Sequence, residues 1–330
     1  MRCQTSVASV HLCICLHLFA AVAPMTAMYY TGYMKIKGNL LLLLTAAIWG
    51  FAFVAQRAGM EHVGPFTFNS IRFALGSLSL LPLILFFAPQ SAGGRGGSWR
   101  EAARIGALLG SVLFTGASLQ QIGIIYTTAG KAAFITCMYI VLVPIAGIFL
   151  KQRLTVPARA GTILALMGLY LLCVKEQFTI APGDLLELLG SFFWTLHILL
   201  IDYYSPQIDT LKLAFFQCAT CALLSAAGAL GAETITLGGI RDAGIPILYG
   251  GICSVGIAYT LQIVGQKHAS PAHAAIILSM ETVFAAIGGF LLLGERFGWR
   301  ELWGCALMLA GMLLSQGGAV RRQPSANAAD

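Results

Sequence analysis

Charge is scarce in this chain. Charged residues make up 10% of its 330 positions, against about a quarter in ordinary soluble domains, which excludes a surface of normal polarity facing water. The common catalytic signatures are missing as well: there is no HExxH, no GxSxG and no phosphate loop of the GxxxxGKS or GxxxxGKT kind. Zinc hydrolysis and elbow-serine chemistry therefore find no footing, and no nucleotide site powers work within the chain, so no enzyme function and no cofactor are expected. No basic stripe is interleaved with exposed aromatics, so the net charge of +7 reads as attraction to an anionic leaflet and not to nucleic acid. Nine cysteines are present, but none sits in a polar extracellular domain, and the CxxC at Cys218 and Cys221 falls on an apolar helix where small packing residues suffice.

What the chain has in excess is apolar length. Hydrophobic residues reach 58% and the mean hydropathy is +0.82. Roughly 20 such residues in a helix cross a bilayer, where lipid offers the backbone no hydrogen bonds. Ten spans follow, at about 39–57, 66–88, 104–124, 130–149, 157–174, 183–202, 210–230, 243–264, 271–293 and 299–317. If the segment before the first span is cytoplasmic, that side holds twelve Lys and Arg and the other side six. The bias places both ends of the bundle in the cytoplasm, in a plasma or bacterial inner membrane. Residues 1–34 have a basic start, an apolar stretch and an AVA-P site like a secretory signal. A cleaved signal would put Asn39 on the wrong side, so Met34 is expected as the functional start, with an eleventh helix as the alternative.

The chain also repeats itself. At an offset of 142, SLQQIGIIYTTAGKAAFITCMYIV lies over TLQIVGQKHASPAHAAIILSMETV, pairing Gln120 with Gln262 and Tyr139 with Glu281. Earlier in each half the offset is 145, which pairs Trp49 with Trp194 and Arg72 with Gln217. Five spans per copy is an odd number, so the copies enter the membrane in opposite senses. The expected fold is an all-α integral membrane protein of ten transmembrane helices in two inverted five-helix repeats. The expected division is an extension at 1–34, repeats at 35–177 and 178–317, and a polar cytoplasmic tail at 318–330.

These residues resemble the drug/metabolite transporter superfamily, specifically the EamA-type ten-helix permeases. The resemblance is carried by TAAIWGFAFVAQRAG, YTTAGKAAFITCMYIVLVP and METVFAAIGGFLLLGERFGWRELWGCALMLAG. It implies a central cavity between the halves, passage of small organic metabolites, and a common role for the acid of the ninth span and the GER turn. Thr282 stands where the family often has proline, and KQR replaces GER in the first half.

Ionisable groups at membrane depth cost about 2.5–3.5 kcal/mol on insertion scales, so they face a partner or a wet cavity. Glu281, alone in IILSMETVFAAIGGFLLLGE until Glu295, is the leading case, either a proton-titrating or substrate-facing carboxylate or a packing acid. Arg72 is its natural counter-charge or a grip for a substrate carboxylate; snorkelling to the interface is the alternative. Trp49, Trp194, Gln120, Gln262, Tyr139, Tyr259, His197 and Gln217 complete the candidate cavity. Lys131 reads as an interfacial anchor, Glu187 and Asp202 as groups facing headgroups or water, and Glu295 with Arg296 as a solvated turn. Gly161, Gly168, Gly304 and Gly311 fall seven apart on the fifth and tenth spans, which suits close helix packing or a homodimer surface. The expected function is a secondary transporter of a small organic metabolite, an amino acid or related compound, worked by alternating access. Its partners are that substrate, membrane lipid and a coupling proton. A non-transporting membrane scaffold or receptor is the alternative.

Overall fold

A computed structural model of the chain describes residues 36–87, 98–149, 156–173, 181–269 and 271–316. The N-terminal extension with Met34, the KQR turn and the tail lie outside the described residues.

Every regular element among the described residues is helical. In order they are α1 (Ile36–Gly59), α2 (Pro65–Phe87), α3 (Trp99–Gly123), α4 (Ala129–Thr136), α5 (Tyr139–Phe149), α6 (Val156–Cys173), α7 (Pro182–Tyr204), α8 (Thr210–Ala232), α9 (Leu237–Asp242), α10 (Gly244–Leu248), α11 (Tyr259–Gln266), α12 (Pro271–Leu278), α13 (Glu281–Leu293) and α14 (Trp299–Gln316). A π-helical stretch, Tyr249–Ala258, joins α10 to α11. The starts follow side-chain chemistry: Ser98 caps α3, Thr128 caps α4, and Asp209 takes the amides of Leu211 and Lys212 at the head of α8. Gly294, at φ 66°, supplies the left-handed residue that ends α13.

Among the described residues, seven helical stretches are long and apolar enough to cross a membrane: Ile36–Gly59, Pro65–Leu85, Trp99–Tyr126, Ala129–Ala146, Pro182–Tyr204, Thr210–Ala232 and Gly244–Gln266. The chain is thus a multi-pass membrane protein. The other three expected spans correspond to α6, to the pair α12 and α13, and to α14. Burial agrees with a lipid setting. Leu230 and Leu223 are 79% and 72% exposed, whereas Gln217 and Gln262 are 0% and 1% exposed, an inversion that water would oppose and hydrocarbon favours.

Two interruptions position the site. The helix that begins at Ala129 breaks at Cys137 and Met138, and the one that begins at Pro271 breaks at Ser279 and Met280. The breaks are 142 positions apart, the interval that aligns the two halves. Ser279 O accepts from Thr282 N at 3.1 Å and from Thr282 Oγ1 at 2.8 Å. A proline at 282 would supply neither donor.

Around this centre, α13 packs on α4, α2 and α3 pack on α8, and α6 packs on α14. The last pair is close at the backbone: a Cβ on Gly168 would lie 2.6 Å from Gly304 O, and one on Gly311 would lie 2.5 Å from Gly161 O.

Candidate functional site

The acids of the chain are unevenly shared. Only Glu61, Glu101 and Glu176 precede residue 178. Four acids from the second half, Asp184, Glu187, Glu281 and Glu295, all reach one short stretch of the first, residues 127–139. Glu295 takes the free amides of Ala129 and Gly130 at 2.7 and 3.1 Å, capping α4 where its dipole favours a negative charge. Asp184, 1% exposed, pairs with Lys131 Nζ at 2.6 Å and accepts from Thr127 Oγ1 at 3.1 Å. Glu187 accepts from Thr136 Oγ1 at 2.8 Å. Glu281 Oε1 accepts from Tyr139 Oη at 3.0 Å and from Cys137 Sγ at 3.3 Å.

Three of these contacts correct the sequence reading. Glu187 is wholly buried and does not face headgroups. Lys131 is only 13% exposed and holds a buried partner instead of anchoring in an interface. Glu295 is half-buried at a helix start, not simply solvated in a turn. In each case the partner comes from a distant segment, which no hydropathy window reveals.

At the level of the broken helices lies a cavity of about 40 Å³. That admits a few waters but no organic molecule, which takes roughly 300 Å³ or more. Eight of the ten sequence candidates line it: Trp49, Arg72, Gln120, Tyr139, Trp194, Tyr259, Gln262 and Glu281. His197 and Gln217 stand behind the wall, bonded to each other at 3.0 Å, with the His197 ring edge-on to Trp194 and Tyr259. Sequence reading missed Gln56, Thr136 and Ser254, which also line the cavity. Gln56 Oε1 accepts from Gln120 Nε2 at 3.0 Å, and Ser254 O in the π-helical stretch accepts from Trp49 Nε1 at 3.1 Å.

Arg72 is 3% exposed and makes no ion pair with Glu281. Its Nε donates to Asn69 Oδ1 at 2.9 Å, and its guanidinium carbon lies 4.7 Å from the Phe73 ring centre. Among the described residues, the two terminal nitrogens have no hydrogen-bond partner, nor has Glu281 Oε2. One cation and one acid therefore each leave binding capacity toward the same small space.

The face of the bundle that carries the α1–α2 turn is tied by further carboxylate contacts. Glu233, after α8, accepts from Phe66 N at 2.7 Å and from Thr67 N at 2.8 Å at the start of α2. At the opposite face Lys267 donates to Thr210 Oγ1, and His273 Nε2 lies 3.2 Å from Asn39 Oδ1. Burial holds the Lys267 ammonium below the ordinary lysine range, with Asp209 opposing that shift.

Comparison with known proteins gives a consistent picture. The profile described as EamA-like transporter family matches residues 36–174 and again 181–316. An uncharacterized transporter of Archaeoglobus fulgidus is 30% identical over 285 residues, covering 86% of this chain and 87% of that protein. The uncharacterized transporter YoaV of Bacillus subtilis is 20% identical over 286 residues, covering 85% and 97%. A solved crystal structure of a protein aligns with a TM-score of 0.67 at 19% identity, covering 86% of this chain and 99% of the other, which speaks for the fold alone.

Proposed function

This chain belongs to the EamA-like transporter family, and on that premise we propose that it is a secondary permease for a zwitterionic metabolite, an amino acid or close relative. The observation that carries the reading is the pair of unsatisfied groups in the central cavity. Arg72 offers two free nitrogens to a carboxylate, and Glu281 Oε2 offers an acceptor to an ammonium. Trp49, Trp194 and Tyr259 supply apolar walls for the body between them.

The same reading gives ten helices in two inverted halves and alternating access. The matched breaks in α4–α5 and α12–α13 support it, as do the repeat-related pairs that meet there, Tyr139 with Glu281 and Cys137 with Ser279. A two-fold axis in the membrane plane brings equivalent residues together only where it passes between them. In this closed arrangement the carboxylate contacts shut the α1–α2 face, and their release would open it. Both ends of the bundle then lie in the cytoplasm of a cell bounded by a plasma or bacterial inner membrane, as the lysine and arginine bias requires.

The test is flux into liposomes holding the purified chain, with labelled amino acids, their decarboxylated amines and their deaminated acids, each with and without a pH gradient. Saturable uptake of zwitterions, weak for amines and acids, is expected. Flux of neither kind, with no thermal stabilisation by any compound, would favour a membrane scaffold or receptor.

A further inference from the structure

The substrate reading leaves one buried acid unused. Glu187 lies between two spaces. One is a recess of about 410 Å³ open at the α1–α2 face, lined by Arg57, Thr127, Lys131, Asp184 and Glu295 among others. The other is the central cavity, which Thr136 lines. Asp184 sits one turn before Glu187 on α7 and belongs to the recess; Thr136 donates to Glu187 Oε2 at 2.8 Å and belongs to the cavity. Glu187 is itself 0% exposed, and its Oε1 has no partner. The backbone of Gly123 and Gly183 closes over that oxygen: a Cβ on Gly123 would stand 3.0 Å from Glu187 Oε1 and 3.0 Å from Gly183 O.

An ionised carboxylate in this place would have one hydroxyl donor and no cation, since Lys131 is committed to Asp184 at 2.6 Å. Few other groups bear on it. The turn after α3 presents Tyr126 against Gly183, α3 presents Gly123 there, and Tyr139 on α5 is turned to Glu281. Of the titratable groups farther along helices that touch α7, Tyr259 on α11 lines the central cavity and His273 on α12 lies against Asn39.

We propose that Glu187 is a proton-binding site that connects the recess to the central cavity, with Asp184 at its entrance and Thr136 at its exit. A proton from recess water adds to Oε1 and neutralises the carboxylate. On release the carboxyl group turns so that its O–H donates to Thr136 Oγ1; that O–H bond breaks as the hydroxyl accepts the proton and gives its own to water in the cavity, and nothing is oxidised or reduced. The small glycines matter because they leave Oε1 room for the added hydrogen. This goes beyond the transport reading, since proton binding is measured without a substrate.

Infrared difference spectra of the full chain in lipid, in H2O and D2O at neutral pH, test it. In a Glu281→Gln chain, which removes the other central acid, a protonated carboxyl band is expected above the amide envelope. Adding Glu187→Gln should abolish that band. Thr136→Val keeps the acid but removes the donor to Oε2, so the band should persist and move to higher frequency. Exchange into D2O should lower the frequency within minutes, because the proposed path reaches recess water by way of Asp184. A band that survives Glu187→Gln, that ignores Thr136→Val, or that resists exchange for hours would overturn the proposal, whatever the flux measurements give.

Discussion

Tyr139 and Glu281 are 142 positions apart, the interval that superimposes the two halves, and Tyr139 Oη donates to Glu281 Oε1 at 3.0 Å. Repeat equivalents that touch must sit beside the axis relating them, so this bond marks the junction of the proposed halves. Its two ends are chemically unlike, a phenol and an acid, and that inequality lets the junction respond to charge.

The first prediction concerns this bond. Tyr139→Phe leaves a buried acceptor short of a donor and is expected to lower stability by about 1–3 kcal/mol. Glu281→Gln keeps an acceptor oxygen and should cost less. The double variant should fall short of the sum of the singles, because the two share one interaction. Thermal unfolding in detergent reads all three; strict additivity would mean the bond carries no energy.

Glu295 caps α4 from a distance of 166 residues. Glu295→Ala should cost roughly 1–2 kcal/mol, in the range of other lost N-caps, and Glu295→Gln about half of that, since one acceptor remains. Hydrogen exchange should speed up at Ala129 and Gly130 and not at the capped start of α8. Equal exchange at both helix starts would argue that the cap does not hold α4.

Lys131→Met strips the buried Asp184 of its cation and leaves it Thr127 alone. A loss of about 3 kcal/mol is expected. Adding Asp184→Asn should recover part of it, because the stranded charge is removed. If the double variant is no better than the single, the cost lies in packing of the lysine stem.

Glycines separate contact from conformation. Gly168→Ala and Gly311→Ala would press a methyl into the facing backbone and should each cost about 1–3 kcal/mol. Gly231→Ala meets nothing within 4 Å near the end of α8 and should be neutral or stabilising by about 0.5–1 kcal/mol. Comparable losses at all three positions would contradict close packing of α6 on α14.

How much of this was legible before folding depends on whether the signal was local. Trp49 with Trp194, and Gln120 with Gln262, were found because duplication ties each to an equivalent at a fixed offset, and all four line the cavity. Glu187 was misplaced because hydropathy windows give depth along a span but no rotation about it. The breaks at Cys137 and Ser279 were invisible for a related reason: neither proline nor glycine stands at either one, and the bond from Cys137 Sγ to Ser279 O joins segments far apart in sequence. Arg72 and Glu281 were rightly singled out as costly, but their partners, Asn69 and Tyr139, depend on side-chain direction. His197 and Gln217 chose each other and left the wall.

Alternating access around this junction is the central claim, and side-specific labelling tests it most directly. Ser254 lines the cavity, and Ser254→Cys makes a small change there. In oriented membranes, with labelling of the native cysteines subtracted, a membrane-impermeant maleimide is applied to one face at a time, with and without Glu295→Gln. Loosening the cap of α4 should raise the labelling rate from the α1–α2 face and lower it from the opposite face. Rates that rise together from both faces, or that change at neither, would contradict the account.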